Sequence, residues 1–153
     1  MKKLEDEIFN QTVTELLART NSTVKVIIEP HFHDNRLVGG KYLMSTHTVY
    51  LYKEEIIKQC YSLFGSASRL KEYIAVVFAH ELGHSEDREL EQLANALDEP
   101  LTSRAQDEIK LKIEENAWAY ARALLTDIEP SFLNLIIDES LLSYRDKLQL
   151  HIA

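Results

Sequence analysis

Residues 69–84 read RLKEYIAVVFAHELGH, a run without proline in which Leu70, Ile74, Val77, Phe78 and Leu82 recur at helical spacing. This predicts a helix with an apolar core side, and Ser68 just ahead of it is the expected N-cap. Near its C-terminal end His80 and His84 stand four residues apart, one turn along the same face. Two imidazoles so placed can reach a single Zn²⁺ at about 2.0–2.1 Å. Glu81 follows the first histidine, where it can face a metal-bound water rather than the ion itself. Random placement of the chain's 6 histidines and its glutamates would give His-Glu-x-x-His about once in 40 such chains, so the motif alone is moderately specific. The helical context and the small Gly83 between the histidines strengthen it. The competing reading is one surface histidine and one satisfied core histidine.

Working outward, LEDEIFNQTVTELLART carries Leu4, Ile8, Val13, Leu16 and Leu17 on one side of an expected first helix, and TNST breaks it. TVKVIIEP is β-branched and stops at Pro30, as a strand does. RLVGGKYLMSTHTVYLYKE then alternates, with Val49 and Leu51 on one face and Tyr50 and Tyr52 on the other, which predicts two or three short strands. KEEIIKQCYSLFG reads as a helix ended by Gly65. Downstream, Ser103 and Gln106 at capping-box spacing open what reads as the longest helix, running to Pro130. The tail reads as one or two short helices. The expected fold is α+β and helix-rich, a small mainly antiparallel sheet packed on a helical core, in one domain over 1–153.

Composition narrows the function. At 153 residues and 45% hydrophobic content the chain can bury a core without disulfides, so a metal would be functional rather than structural. The single cysteine, Cys60, lies in an apolar pattern and reads as a core thiol. A net charge of −8 with no basic run argues against nucleic-acid binding. The amino terminus turns acidic after two lysines and lacks a signal-like apolar stretch, and no segment has the roughly 18 apolar residues of a membrane span, so a cytoplasmic protein is expected.

A catalytic zinc takes three protein ligands and leaves a position for water, so a third ligand is needed. No HExxHxxGxxH continues through SEDRELEQLA. Glu114 and Glu115, 30 and 31 residues after His84, are far enough on for the chain to return antiparallel, and either completes a His₂Glu set. FAHELGHSED followed by EENAWAYARALL resembles the zincin metallopeptidases of the ImmA/IrrE type, in which an HELGH helix precedes a helix of the form E-x-x-A-x-x-aromatic-A-x-x-L-L. Matching Ala117, Tyr120, Ala121, Leu124 and Leu125 to that pattern puts Glu114 on the ligand position and Glu115 in reserve. THTVYLY resembles the family's edge strand, along which an extended peptide lies. The resemblance covers roughly positions 23–126, and the Met-Pro that often follows the two leucines is missing.

It implies a zinc metallopeptidase: His80, His84 and Glu114 hold Zn²⁺, and Glu81 activates its water to attack a peptide bond. The small size favours a restricted protein or peptide substrate, such as a regulatory protein in the same cell. A catalytically silent zincin-like binding module is the alternative.

Other residues have weaker claims. Asp87 is close enough in sequence to orient a ligand histidine. His31 and His33 share a face of HFH and, with His47, raise a second metal site, though exposed histidines are the simpler reading. Tyr120, Tyr144 and Arg145 are candidate oxyanion donors by type, while Trp118 and Tyr120 fit packing roles. His151 lies near the terminus, where chains are often poorly ordered.

Overall fold

The computed structural model describes residues 2–34 and 38–152. Its centre is the predicted helix, α3 (Leu70–Ser85), which touches four other elements besides α1 (Lys2–Ala18): β2 (Gly40–Leu43), β3 (Thr48–Tyr52), α2 (Lys53–Phe64) and α5 (Ser103–Leu124). With neighbours on every side α3 is not amphipathic: Tyr73, Val76 and Ala79 are buried along with Leu70, Ile74, Phe78 and Leu82. Each large apolar side chain so buried contributes about 1.5–3 kcal/mol. Val77, expected in the core, is half-buried. The N-cap is Arg69 rather than Ser68, whose hydroxyl bonds that of Ser66 at 2.9 Å.

The remaining elements are β1 (Lys25–Glu29), α4 (Leu90–Ala96) and α6 (Pro130–Ile152). The fold is α+β and helix-rich, as expected. β3 lies centrally, parallel to β1 and antiparallel to β2. The sheet is therefore mixed, and THTVYLY is not an edge strand. A partner on each side suits a strand whose Thr48, Val49, Leu51 and Tyr52 are all buried, and the edges fall to β1 and β2. His47 makes the turn between β2 and β3 at φ 51°, in the left-handed region.

The helix ends follow local chemistry. Gly65, at φ 73°, closes α2 by donating its N–H to the Tyr61 carbonyl at 2.8 Å. α5 is capped one residue earlier than predicted: Thr102 Oγ1 accepts from the Ala105 N–H at 3.1 Å. The tail is one helix of 23 residues, one longer than α5, because Phe132, Leu133, Ile136, Ile137 and Leu141 form a continuous buried stripe. In α1 the buried stripe is Phe9, Thr12, Val13 and Leu16, while Leu4 is 60% exposed. Cys60 is a buried core thiol, pushed up by burial. One cluster of buried side chains runs from α1 through α6. No helix among the described residues is long and apolar enough to cross a membrane.

Candidate metal centre

The site is made by the crossing of α3 over α5. A Cβ added to Gly83 would lie 2.3 Å from the Ala117 carbonyl oxygen and 2.8 Å from its Cα, so only glycine permits this backbone approach. Glu114 stands one turn before Ala117, which carries its carboxylate to the histidine face of α3.

There it meets both imidazoles. Glu114 Oε1 is 3.0 Å from His80 Nε2, and its Oε2 is 3.3 Å from His84 Nε2. The two rings lie edge to face, centroids 4.7 Å apart. Glu115, about 100° around the helix, is exposed. Of the two glutamates, the structure brings only Glu114 to the histidines.

Glu81 reaches back to the first histidine, its Oε2 3.1 Å from His80 Nδ1. A donor atom from each of His80, Glu81 and His84 can be chosen so that all lie within 4.8 Å of one another. Gly40 leaves room for Glu81, since a Cβ there would be 3.1 Å from Glu81 Cγ. Trp118 stacks on the His80 ring at 4.3 Å and 24°, and its indole N–H donates to Ser140 Oγ on α6 at 3.3 Å. The ligand face is thus held by packing as well as by charge.

The electrostatics are those of an ionised, hydrogen-bonded cluster. Carboxylates face both ring nitrogens of His80, and both can accept only if the ring is doubly protonated. Burial opposes that charge, but Glu81 and Glu114 outweigh it and push His80 up to about 10. Burial likewise disfavours the Glu114 carboxylate, yet hydrogen bonds from His80 and His84 hold it down at about 2. The donor set also fits zinc: two Nε2 atoms and a carboxylate, 3.0 and 3.3 Å apart where they meet. A tetrahedral site with bonds of about 2.1 Å has edges of roughly 3.4 Å, close to these two separations, and His80 would give up its Nε2 proton on taking an ion.

Around the cluster runs an open groove. Its sides come from β2, including Gly40, Lys41 and Tyr42, and from Glu114, Ser140 and Tyr144 on α5 and α6. Of the three residues with a donor of the right type, Tyr144 is the one that lines this groove: burial, then the charges of Glu114 and Glu81, push its hydroxyl up, so it stays protonated at neutral pH. Arg145 instead points to Asp138, 3.5 Å away on the exposed side of α6. Tyr120 is half-buried beside Glu86 rather than among the groove residues.

The other expected residues lie elsewhere. Asp87 accepts from the Glu89 N–H at 2.9 Å and from Asn116 Nδ2 at 3.2 Å; it braces the turn into α4 and orients no histidine. His31 pairs with Glu55 at 3.0 Å, His33 is 3.8 Å from Asp34, and His47 bonds the Tyr42 hydroxyl at 2.7 Å. These three histidines form no common cluster among the described residues. His151 Nε2 lies 2.8 Å from Asp107 Oδ2.

Sequence reading missed Ser140 and Gly40. Neither belongs to a local motif, and both reach the site only through tertiary packing. No family model matches this chain, and no curated protein or solved structure matches it.

Proposed function

We propose that the protein is a zinc-dependent metallopeptidase that cleaves a restricted protein substrate, such as a regulatory protein, in the cytoplasm. The observation that carries this reading is the convergence of His80 Nε2, His84 Nε2 and the Glu114 carboxylate beside Glu81 in an open groove. His80, His84 and Glu114 would hold the zinc. When bound, the ion supplies a Lewis acid that acidifies water and polarises a carbonyl.

The chain's own groups do the rest. Glu81 takes the proton of the attacking water and returns it to the leaving amine. The Tyr144 hydroxyl donates a hydrogen bond to the developing oxyanion. β2 ends the sheet and borders the groove, so its outer edge can take an extended peptide by main-chain hydrogen bonds.

One observation favours the silent binding module instead: Glu81 is tied to His80 Nδ1, which restrains a general base. Two measurements separate the readings. Tag-free protein should contain near-stoichiometric zinc by mass spectrometry, lost in His84→Ala and Glu114→Ala and kept in Glu115→Ala. New amino termini in a lysate should appear with the wild type and vanish with Glu81→Gln, which keeps zinc. Cleavage by Glu81→Gln would overturn the mechanism, and zinc without any cleavage would select the binding module.

A further inference from the structure

A second depression, of about 370 Å³, opens beside the metal groove between α2, α3 and α6, a volume within the range of small-ligand sites (about 300–1,000 Å³). The two share a mouth, since Gly40, His80, Glu81 and Ser140 line both. Leu63, Val77, Trp118 and Ile136 give the depression apolar walls, and Ser62 and Glu139 add polar groups. Val77 is the residue that sequence reading put in the core; here it faces this space.

The one cation among the described lining residues, His80, is already matched by Glu81 and Glu114. Among the described residues no lysine or arginine lines the depression, and Glu139 makes no ion pair or hydrogen bond. Glu139 is exposed, whereas Glu81 is buried and spent on His80. An acidic side chain entering here would meet the uncompensated charge of Glu139. A long cationic one would lay its methylenes along the apolar walls and bring its head to Glu139 and the Ser62 hydroxyl. The net charge of −8 favours the approach of such a group.

We propose that this depression binds the side chain of a lysine or arginine and, resting on the peptidase reading above, that this residue flanks the bond to be cleaved. Norleucine fills the same walls but leaves Glu139 to water, so the carboxylate is the selective element. The shared mouth at Glu81 sets the bound residue next to the reacting groups.

Trp118 is the only tryptophan and part of the wall, so its fluorescence reports occupancy without zinc or turnover. Metal-free protein is titrated with the N-acetyl amides of arginine, lysine, norleucine and glutamate. The expected result is a Kd at least about tenfold lower for arginine and lysine than for norleucine, no response to glutamate, and loss of that preference in Glu139→Gln. Equal responses to arginine and norleucine, no response to any amide, or an arginine preference that survives Glu139→Gln would each overturn the proposal. Failure of the peptidase reading shows separately, as absence of zinc or of Glu81-dependent cleavage while the titration keeps its preference.

Discussion

Two histidine–glutamate contacts of equal length occur in this molecule, and only one has the makings of a metal centre. His31 Nδ1 lies 3.0 Å from Glu55, and His80 Nε2 lies 3.0 Å from Glu114. The His31 side chain is 59% exposed and that of His80 13%. Glu55 spends its other oxygen on the Phe32 N–H at 2.7 Å, whereas Glu114 turns its second oxygen to another imidazole. Glu55 is therefore a staple that ties the turn after β1 to α2. Glu114 is a hub, and the difference lies in how many donors converge, not in how close any pair is.

The largest effect should come from the contact that creates the hub. Gly83→Ala places a methyl against the Ala117 backbone, which no rotamer can relieve, so α5 must move off α3. Overpacking of this kind costs about 3 kcal/mol, and zinc affinity should fall roughly 100-fold as Glu114 withdraws. Urea unfolding and a zinc-chelator competition check both. Unchanged zinc affinity would show that the crossing does not set the ligand geometry.

Next is the charge of the hub in metal-free protein. Glu114, held at about 2 against an ordinary 4.5, contributes stability that is complete above 4.5 and lost as pH falls towards 2. His80, held at about 10 against an ordinary 6.5, contributes stability that is complete below 6.5 and lost as pH rises towards 10. Both are in force between about 4.5 and 6.5. Glu114→Gln should therefore destabilise by about 2 kcal/mol in that window and by less on either side. Urea unfolding in chelator across pH 3–9 measures the difference between the two proteins; a difference that does not vary with pH would show that the cluster is not ionised as described.

The contrast between staple and hub also marks what was legible in the sequence. The HELGH spacing put His80, Glu81 and His84 together because an α-helix sets its own periodicity, whereas spacing left Glu114 and Glu115 open and only the resemblance of EENAWAYARALL to a known helix pattern put Glu114 first. Gly65 ended α2 through local backbone chemistry, whereas α5 ends at Leu124, short of the Pro130 expected to close it, and Pro130 instead opens α6. Order across the sheet is not local, so THTVYLY looked like an edge strand while β1 and β2 take the edges. The cap at Thr102 missed by one residue because Thr102 and Ser103 offer similar hydroxyls, while Arg69 opens α3 with no side-chain cap, so no residue type announced it. Ser140 and the stacking of Trp118 on His80 depend on where α6 packs, which no spacing within that helix encodes.

The smallest effect should fall on the staple. Glu55 is almost fully buried, and burial favours its neutral form, but the hydrogen bonds from His31 and the Phe32 N–H prevail and hold it below the ordinary carboxylate range. Glu55→Gln keeps one acceptor oxygen for the Phe32 N–H and loses the charge that faces His31, so the cost should be about 1 kcal/mol. Because the staple shares no residue with the hub, zinc stoichiometry and affinity should stay at wild-type values. Thermal unfolding with and without zinc tests both halves: the variant should melt lower by the same few degrees in each condition, roughly 2–4 °C for a chain of this size. A shift that appears only with zinc would mean that the turn after β1 is coupled to the metal groove through β2, and the separation of staple from hub would fail.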